Sequence, residues 1–354
     1  MDLVSYRFTP SQGTTTMKNS AILILAIAIL AAPALLGQGV GRNGIKKGEW
    51  KDRTDIPEGF FVYERGRYVF QSNAPKERIE QLAKHLNEAY RLYEKSFPTG
   101  RTPGKPFVVK VFKDRKQFIE YGAPPSAGAY YSWGDKEMVG YDTGKVDGEM
   151  VGTGGTTGKS DPVKSAADAI RAQRTMDLLG VFAHEGWHQY FHFICASKVD
   201  FPSWCDEGIG EYFYTARFRG RKMEVGAPND YRLGTIRSAI KSKKTIPLKD
   251  LVTYNQAAYY RVAGLAYAQG WSFVHFLMEH PDYKKHRHLQ KFLNIFIDQH
   301  SIQEAVDEVF RKFDWEKVEK DWSEWVLALP YESAEDIRRR ALEEVMEPPT
   351  EEGK

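Results

Sequence analysis

The stretch from Leu178 to Ile194 constrains the fold more than any other part of the chain. It contains His184-Glu185-Gly186-Trp187-His188, with Leu178, Leu179, Val181 and Phe182 ahead and Phe191 and Ile194 behind. Apolar residues at that spacing specify a helix with a buried face. Residues four apart on a helix stand one turn above one another on the same side. His184 and His188 therefore present two imidazoles to a common point, with Glu185 beside them. Polar groups carried into an apolar interior need partners. Eighteen residues after His188 comes Glu207, within Trp204-Cys205-Asp206-Glu207-Gly208. Two imidazoles and a carboxylate form a ligand set that zinc accepts, and three protein ligands leave the fourth position open, as hydrolytic rather than structural sites do. The expectation is one Zn²⁺ per chain on His184, His188 and Glu207, with Glu185 as general base.

Two neighbours compete for roles. His192 lies four residues past His188, but another helical turn carries it ~6 Å further along the axis, too far to share the ion. It reads as a core or supporting histidine. Glu211 follows Glu207 by one turn. It is placed to hydrogen-bond the outer nitrogen of a ligand histidine, the other reading being a surface ion-pair carboxylate. The metzincin pattern, with glycine and then a third histidine after H-E-x-x-H, fails because Phe191 and Ile194 stand at those positions.

The rest of the chain divides around this helix. Residues 17–39 have a charged start, an apolar run over 21–36 and small residues at the end. This is the grammar of a signal peptide, with residues 1–16 as an upstream extension. Membrane anchoring through residues 21–36 is the reading if the run stays uncleaved, although it is shorter than the ~20 residues a span needs. Either reading places the protein outside the cytoplasm, secreted, periplasmic or anchored facing outward. In that oxidising setting Cys195 and Cys205 can pair as a disulfide or remain two free buried thiols. Residues 40–56, polar and glycine-containing, read as a linker. Strands are expected over 60–63, 68–71, 107–112 and 138–141, and helices over 75–97 and 114–121, so residues 57–143 form a small mixed α/β layer. Residues 144–160 are a glycine-rich loop. Its Gly158-Lys159-Ser160 fails as a phosphate-binding loop because Thr153 stands where glycine is required. Asp161 and Pro162 suit a helix start, and residues 161–280 form the helical zinc-binding part. Further helices are expected over about 229–242, 262–279, 284–299, 301–312, 314–327 and 333–346, those of 281–346 carrying no nameable chemistry. A charged tail closes the chain over 347–354. The fold class is α+β.

A net charge of +3 with dispersed basic residues and no nucleic-acid-binding motif gives no reason to expect DNA or RNA as partners.

The motif, its spacing and the following glycine resemble the gluzincin metallopeptidases. The aminopeptidase-N-type branch has N-E-G-F-A where this chain has Asp206-Glu207-Gly208-Ile209-Gly210. That branch also has Y-x-x-G opening a helix about sixty residues later, and here Tyr267 to Gly270 stands there. The resemblance implies that Tyr267 hydrogen-bonds the oxyanion, a donor that acyl transfer needs opposite the metal. Tyr259 and Tyr260 are rivals for that role. The chain has no G-A-M-E-N-like stretch for a free N-terminus, which points to endopeptidase rather than aminopeptidase action. It is closer to small exported peptidase-MA-like proteins, which place a short α/β layer before H-E-x-x-H-Q and carry P-x-W-x-x-E-G-x-x-E-Y-F, here Pro202 to Phe213. The likeness covers about residues 57–280 and implies a zincin-type helical domain and a peptide or protein substrate. In such proteins a G-x-Y segment, here Gly128-Ala129-Tyr130, precedes the site, and an edge strand can pair with an extended substrate. Two other readings use the same residues: a zinc-binding envelope protein without turnover, and a hydrolase of non-peptide bonds.

Overall fold

A computed structural model describes residues 39–50, 55–146, 149–150, 175–195 and 202–346. The apolar run over 21–36, most of the glycine-rich loop, Asp161 and Pro162, and the tail over 347–354 lie outside the described residues.

The N-terminal part is a five-stranded mixed sheet in the order β1-β2-β3-β5-β4. Strands β1 (Phe61–Arg65) and β2 (Tyr68–Ser72) form an antiparallel hairpin. Helix α1 (Lys76–Ser96) crosses over to β3 (Phe107–Phe112), which runs parallel to β2. The short helix α2 (Arg115–Glu120) begins at Asp114, whose carboxylate accepts from the Gln117 N–H. Strand β5 (Glu137–Tyr141) is parallel to β3, and β4 (Ala129–Ser132) pairs antiparallel with β5 at the sheet edge. Strand alternation divides the side chains. Phe70, Val109 and Met138 join the main core with α1, whereas Phe112 and Val139 face a smaller cluster with Phe118 of α2 and Ile45.

On that second face residues 40–50, the described start of the expected linker 40–56, pack against the sheet. Trp50 is buried and stacks edge-on against Phe60. The Gly48 N–H donates to Glu137 at 2.7 Å, and the Gly48 carbonyl accepts from Lys110. A segment with few apolar residues is thus pinned over the sheet by buried polar bonds.

After the two-residue strands β6 (Lys145–Val146) and β7 (Glu149–Met150) come α3 (Leu178–Cys195) and α4 (Ser203–Phe213). A small hairpin, β8 (Arg217–Arg219) and β9 (Lys222–Glu224), interrupts the expected helical run. The remaining elements are α5 (Asp230–Lys241), α6 (Leu248–Leu251), α7 (Gln256–Arg261), α8 (Ala263–Glu279), α9 (Pro281–Lys284), α10 (His288–Gln299), α11 (Ile302–Phe310), α12 (Trp315–Ala328) and α13 (Ala334–Met346). The pattern over 284–299 breaks before α10 because Arg287 adopts the left-handed region at φ 52°. The protein is α+β, a sheet layer followed by a mostly helical region. No helix among the described residues is long and apolar enough to cross a membrane.

Candidate metal centre

Helix α3 lies in the core between α1 and α4. Asp177 starts it, accepting from the Gly180 N–H at 3.0 Å. Tyr93 of α1 donates to the Ala183 carbonyl at 2.6 Å, one residue before the first histidine. Helix α4 is buried along its whole length. Two close approaches set its position. A Cβ on Gly210 would fall 2.9 Å from the His184 ring, so glycine there lets the imidazole lie against the helix backbone. A Cβ on Gly208 would fall 2.7 Å from the Gly270 carbonyl of α8, so the two helices touch backbone to backbone.

This packing brings the three expected ligands together. His184 Nε2 lies 3.0 Å from His188 Nε2 and 3.1 Å from Glu207 Oε2, and His188 Nε2 lies 3.4 Å from the same oxygen. The three residues are buried. A carboxylate holds the far side of His188, whereas the far nitrogen of His184 has no hydrogen-bond partner and Glu211 is its nearest carboxylate. His188 Nδ1 sits 3.1 Å from Asp206 Oδ1, and His184 Nδ1 sits 3.6 Å from Glu211 Oε1. A neutral imidazole with its proton on Nδ1 turns a bare lone pair outward from Nε2. In that form both histidines would turn lone pairs to the point that Glu207 Oε2 also faces, an arrangement that repels unless a proton or a metal cation occupies it. The mutual distances of 3.0, 3.1 and 3.4 Å lie at or slightly below the ~3.3–3.6 Å edge of a tetrahedron with zinc–ligand bonds of about 2.0–2.2 Å. The donor set therefore fits a zinc ion.

The electrostatics agree. Burial opposes charge on His188, but Asp206 and Glu207 overcome it and raise its pKa well above the ordinary value. Burial likewise opposes charge on Glu207, yet His188 and His184 hold its carboxyl down to about 2. The metal-free pocket thus favours a positive charge at the point where the lone pairs meet.

Glu185 is buried, and its Oε2 has no hydrogen-bond partner. The backbone N–H of Tyr131, on edge strand β4, faces its carboxylate. Burial pushes its pKa up, against the pull of His184 and His188. Of the three tyrosine candidates, two hydroxyls are committed. Tyr259 donates to the Ala266 carbonyl at 3.0 Å, and Tyr260 donates to Glu207 Oε1 at 2.6 Å. The Tyr267 hydroxyl is buried without a partner, and burial together with the Glu207 charge keeps it protonated.

Glu211 sits 3.6 Å from His184 Nδ1, outside hydrogen-bond distance, and is buried rather than at the surface. Arg232 donates to it at 2.6 Å and Asn229 at 2.8 Å, and the Arg232 guanidinium lies over the Tyr267 ring at 4.9 Å. His192 does not join the ligands, because its Nε2 bonds to Asp206 Oδ2 at 2.7 Å. Asp206 also accepts from Trp187 Nε1 at 2.9 Å. His188, His192 and Asp206 form a second cluster with metal-ligand chemistry. Its hydrogen bonds argue against an ion, since each histidine nitrogen facing Asp206 is placed to donate its proton to the carboxylate. Asp206, Asn229 and Arg232 are not singled out by the sequence, and Tyr260, a rival for the oxyanion role there, instead donates to Glu207. The acidic pair Asp206-Glu207 was the one local signal. Cys205 is a free thiol packed into the apolar core, and the side chain of Cys195, its partner in the expected pair, lies outside the described residues.

Residues 179–295 match a family described as a protein of unknown function, DUF1570. That stretch holds every residue of the centre from His184 to Tyr267. No curated protein matches the chain.

Proposed function

We propose that this protein is a zinc-dependent peptidase acting outside the cytoplasm, with endopeptidase action on peptide or protein substrates. The observation that carries the reading is the convergence of His184 Nε2, His188 Nε2 and Glu207 Oε2 within 3.0–3.4 Å, beside a buried, unpartnered Glu185 oxygen. A zinc ion held there supplies Lewis acidity, which acidifies water and polarises a carbonyl. The chain supplies the proton handling. Glu185 takes a proton from the attacking water and passes it to the leaving amine, and its raised pKa brings it closer to the range where a general base works best. Tyr267, protonated and free to donate, hydrogen-bonds the developing oxyanion. Tyr260 fixes Glu207 by its second oxygen. Export rests on the signal-peptide grammar of residues 17–39.

The test is Glu185→Gln with zinc content and cleavage of a peptide library measured on the same sample. Expected is full zinc retention with cleavage reduced about 10²–10⁴-fold. Full zinc with undiminished cleavage sinks the mechanism. A second reading, an ion held without turnover, draws support from burial, because none of His184, Glu185, His188 and Glu207 is more than 3% exposed. It predicts chelator-sensitive stability and no cleavage by the unmutated protein.

A further inference from the structure

The turn joining β4 to β5 carries Trp133, whose indole is 42% exposed. Leaving so large an apolar side chain in water needs a reason, and the indole N–H supplies one. It donates to His192 Nδ1 at 2.7 Å, with the two rings edge to face at 5.3 Å. A neutral histidine that accepts at Nδ1 carries its proton on Nε2. His192 Nε2 therefore donates to Asp206 Oδ2 at 2.7 Å. The other oxygen of Asp206 accepts from Trp187 Nε1 at 2.9 Å and from His188 Nδ1 at 3.1 Å. Once a cation displaces its second proton, His188, keeping its proton on Nδ1, would turn a bare Nε2 toward His184 and Glu207. Proton placement is thus determined step by step from a solvent-facing indole to a ligand nitrogen.

The turn is built to hold this indole still. Ser132 donates to Asp135 at 2.9 Å and accepts from its N–H at 3.2 Å. Lys47 reaches Asp135 at 3.6 Å. Glu137, the first residue of β5, is locked by Lys110 and by the Gly48 N–H. On the other side of the turn, Tyr131 faces Glu185 with its backbone N–H.

We propose that Trp133 is a positioning residue of the metal centre, acting through His192 and Asp206 to fix the ring and tautomer of His188. The inference rests on the metal-binding reading of the three ligands. Ligand histidines are oriented by the group on their other nitrogen, and loss of such a direct partner typically costs 10–100-fold in metal affinity. Trp133 stands two bonds further out, so its effect is smaller, about 3–10-fold by attenuation of that range.

The experiment measures zinc affinity by competition with a chromogenic chelator, on the full chain and without turnover. Four proteins are compared: unmutated, Trp133→Phe, His192→Phe and the double variant. Trp133→Phe keeps the aromatic ring and removes only the donor. Expected is a several-fold loss of affinity for Trp133→Phe alone and no further loss when it is added to His192→Phe, the coupling expected of residues in one hydrogen-bonded chain. Nitrogen-15 shifts of the metal-free protein give a second readout. His192 is expected wholly in the Nε2–H form, relaxing toward a tautomer mixture in Trp133→Phe. Unchanged affinity and tautomer in Trp133→Phe, or equal losses in both backgrounds, overturn the role of Trp133 while leaving the metal centre intact. An unmutated protein that binds no zinc overturns both readings.

Discussion

Two buried charge clusters stand on opposite sides of the sheet layer, and they are solved in opposite ways. On the face covered by residues 39–50, Glu137 is neutralised by Lys110, both at 0% exposure, and Tyr121 and the Gly48 N–H complete its hydrogen bonds. The cluster brings its own cation. At the α3–α4 contact the chain buries His184, His188, Asp206, Glu207 and Glu211 together. Asp206 and Glu211 are taken up by His192, Trp187, Asn229 and Arg232. Glu207 has one oxygen on Tyr260 and the other facing two imidazoles. A folded protein satisfies its buried polar groups or assigns them work. The first cluster is closed, and the second, on the proposed reading, would be completed by a cation.

The largest expected effect breaks the closed cluster. Lys110→Met leaves the Glu137 carboxylate buried without its partner, which costs about 3–5 kcal/mol of stability. Burial then drives Glu137 further toward its neutral form, the direction in which burial already pushes it. Replacing both partners by apolar residues of similar volume is expected to recover most of the loss. Urea unfolding with and without a chelator measures this. A loss that depends on chelator would join the two clusters and undo the contrast.

The open cluster answers to pH instead. In the metal-free protein the Glu207 carboxyl is held down to about 2 from an ordinary 4.5. A depressed carboxyl stabilises the fold above its unfolded pKa, and that stability, about 3 kcal/mol, is lost as pH falls from about 4.5 toward 2. His188 has the opposite sign. Its raised pKa stabilises the metal-free fold below about 6.5, and this is lost as pH rises through the folded value. An entering cation displaces the His188 proton, so zinc binding at pH 7 is expected to release protons and to tighten as pH rises. A pH-stat titration with zinc reads the release directly. Zinc uptake without proton release would show that His188 is already neutral in the metal-free protein.

The two clusters also differ in how far the sequence announces them. His184, His188 and Glu207 are legible because the proposed metal site demands particular side chains at helical spacing, and the rise of a helix sets His192 apart without any structure. Gly208 and Gly270 are visible as residues, but their purpose is visible only when α4 and α8 are seen backbone to backbone. Asp206 escapes because it neighbours the ligand and gains its role from the α3 groups it meets. The closed cluster is silent in sequence. Lys110 and Glu137 are an isolated lysine and glutamate in apolar strands, 27 residues apart, and Gly48 belongs to a segment with too few apolar residues to declare itself structured. Strand β4 is likewise too short and too uniformly half-apolar to show alternation.

The sharpest and smallest test uses two tyrosines that do the same thing in different settings. Tyr260 donates to Glu207, and Tyr121 donates to Glu137. A hydrogen bond to a buried carboxylate is worth about 1.5–3 kcal/mol. Where the carboxylate already has its cation, that energy belongs to folding, so Tyr121→Phe is expected to lower stability by about that amount and to leave zinc affinity unchanged. Where the carboxylate is a ligand, the donor orients it, and Tyr260→Phe is expected to weaken zinc binding about 10-fold or more. Its effect on the stability of the metal-free protein is expected to be smaller than that of Tyr121→Phe, because Glu207 keeps His184 and His188 beside its other oxygen. Chelator competition and urea unfolding on both variants give four numbers, and the contrast between the clusters stands only if the two large ones fall on opposite measurements.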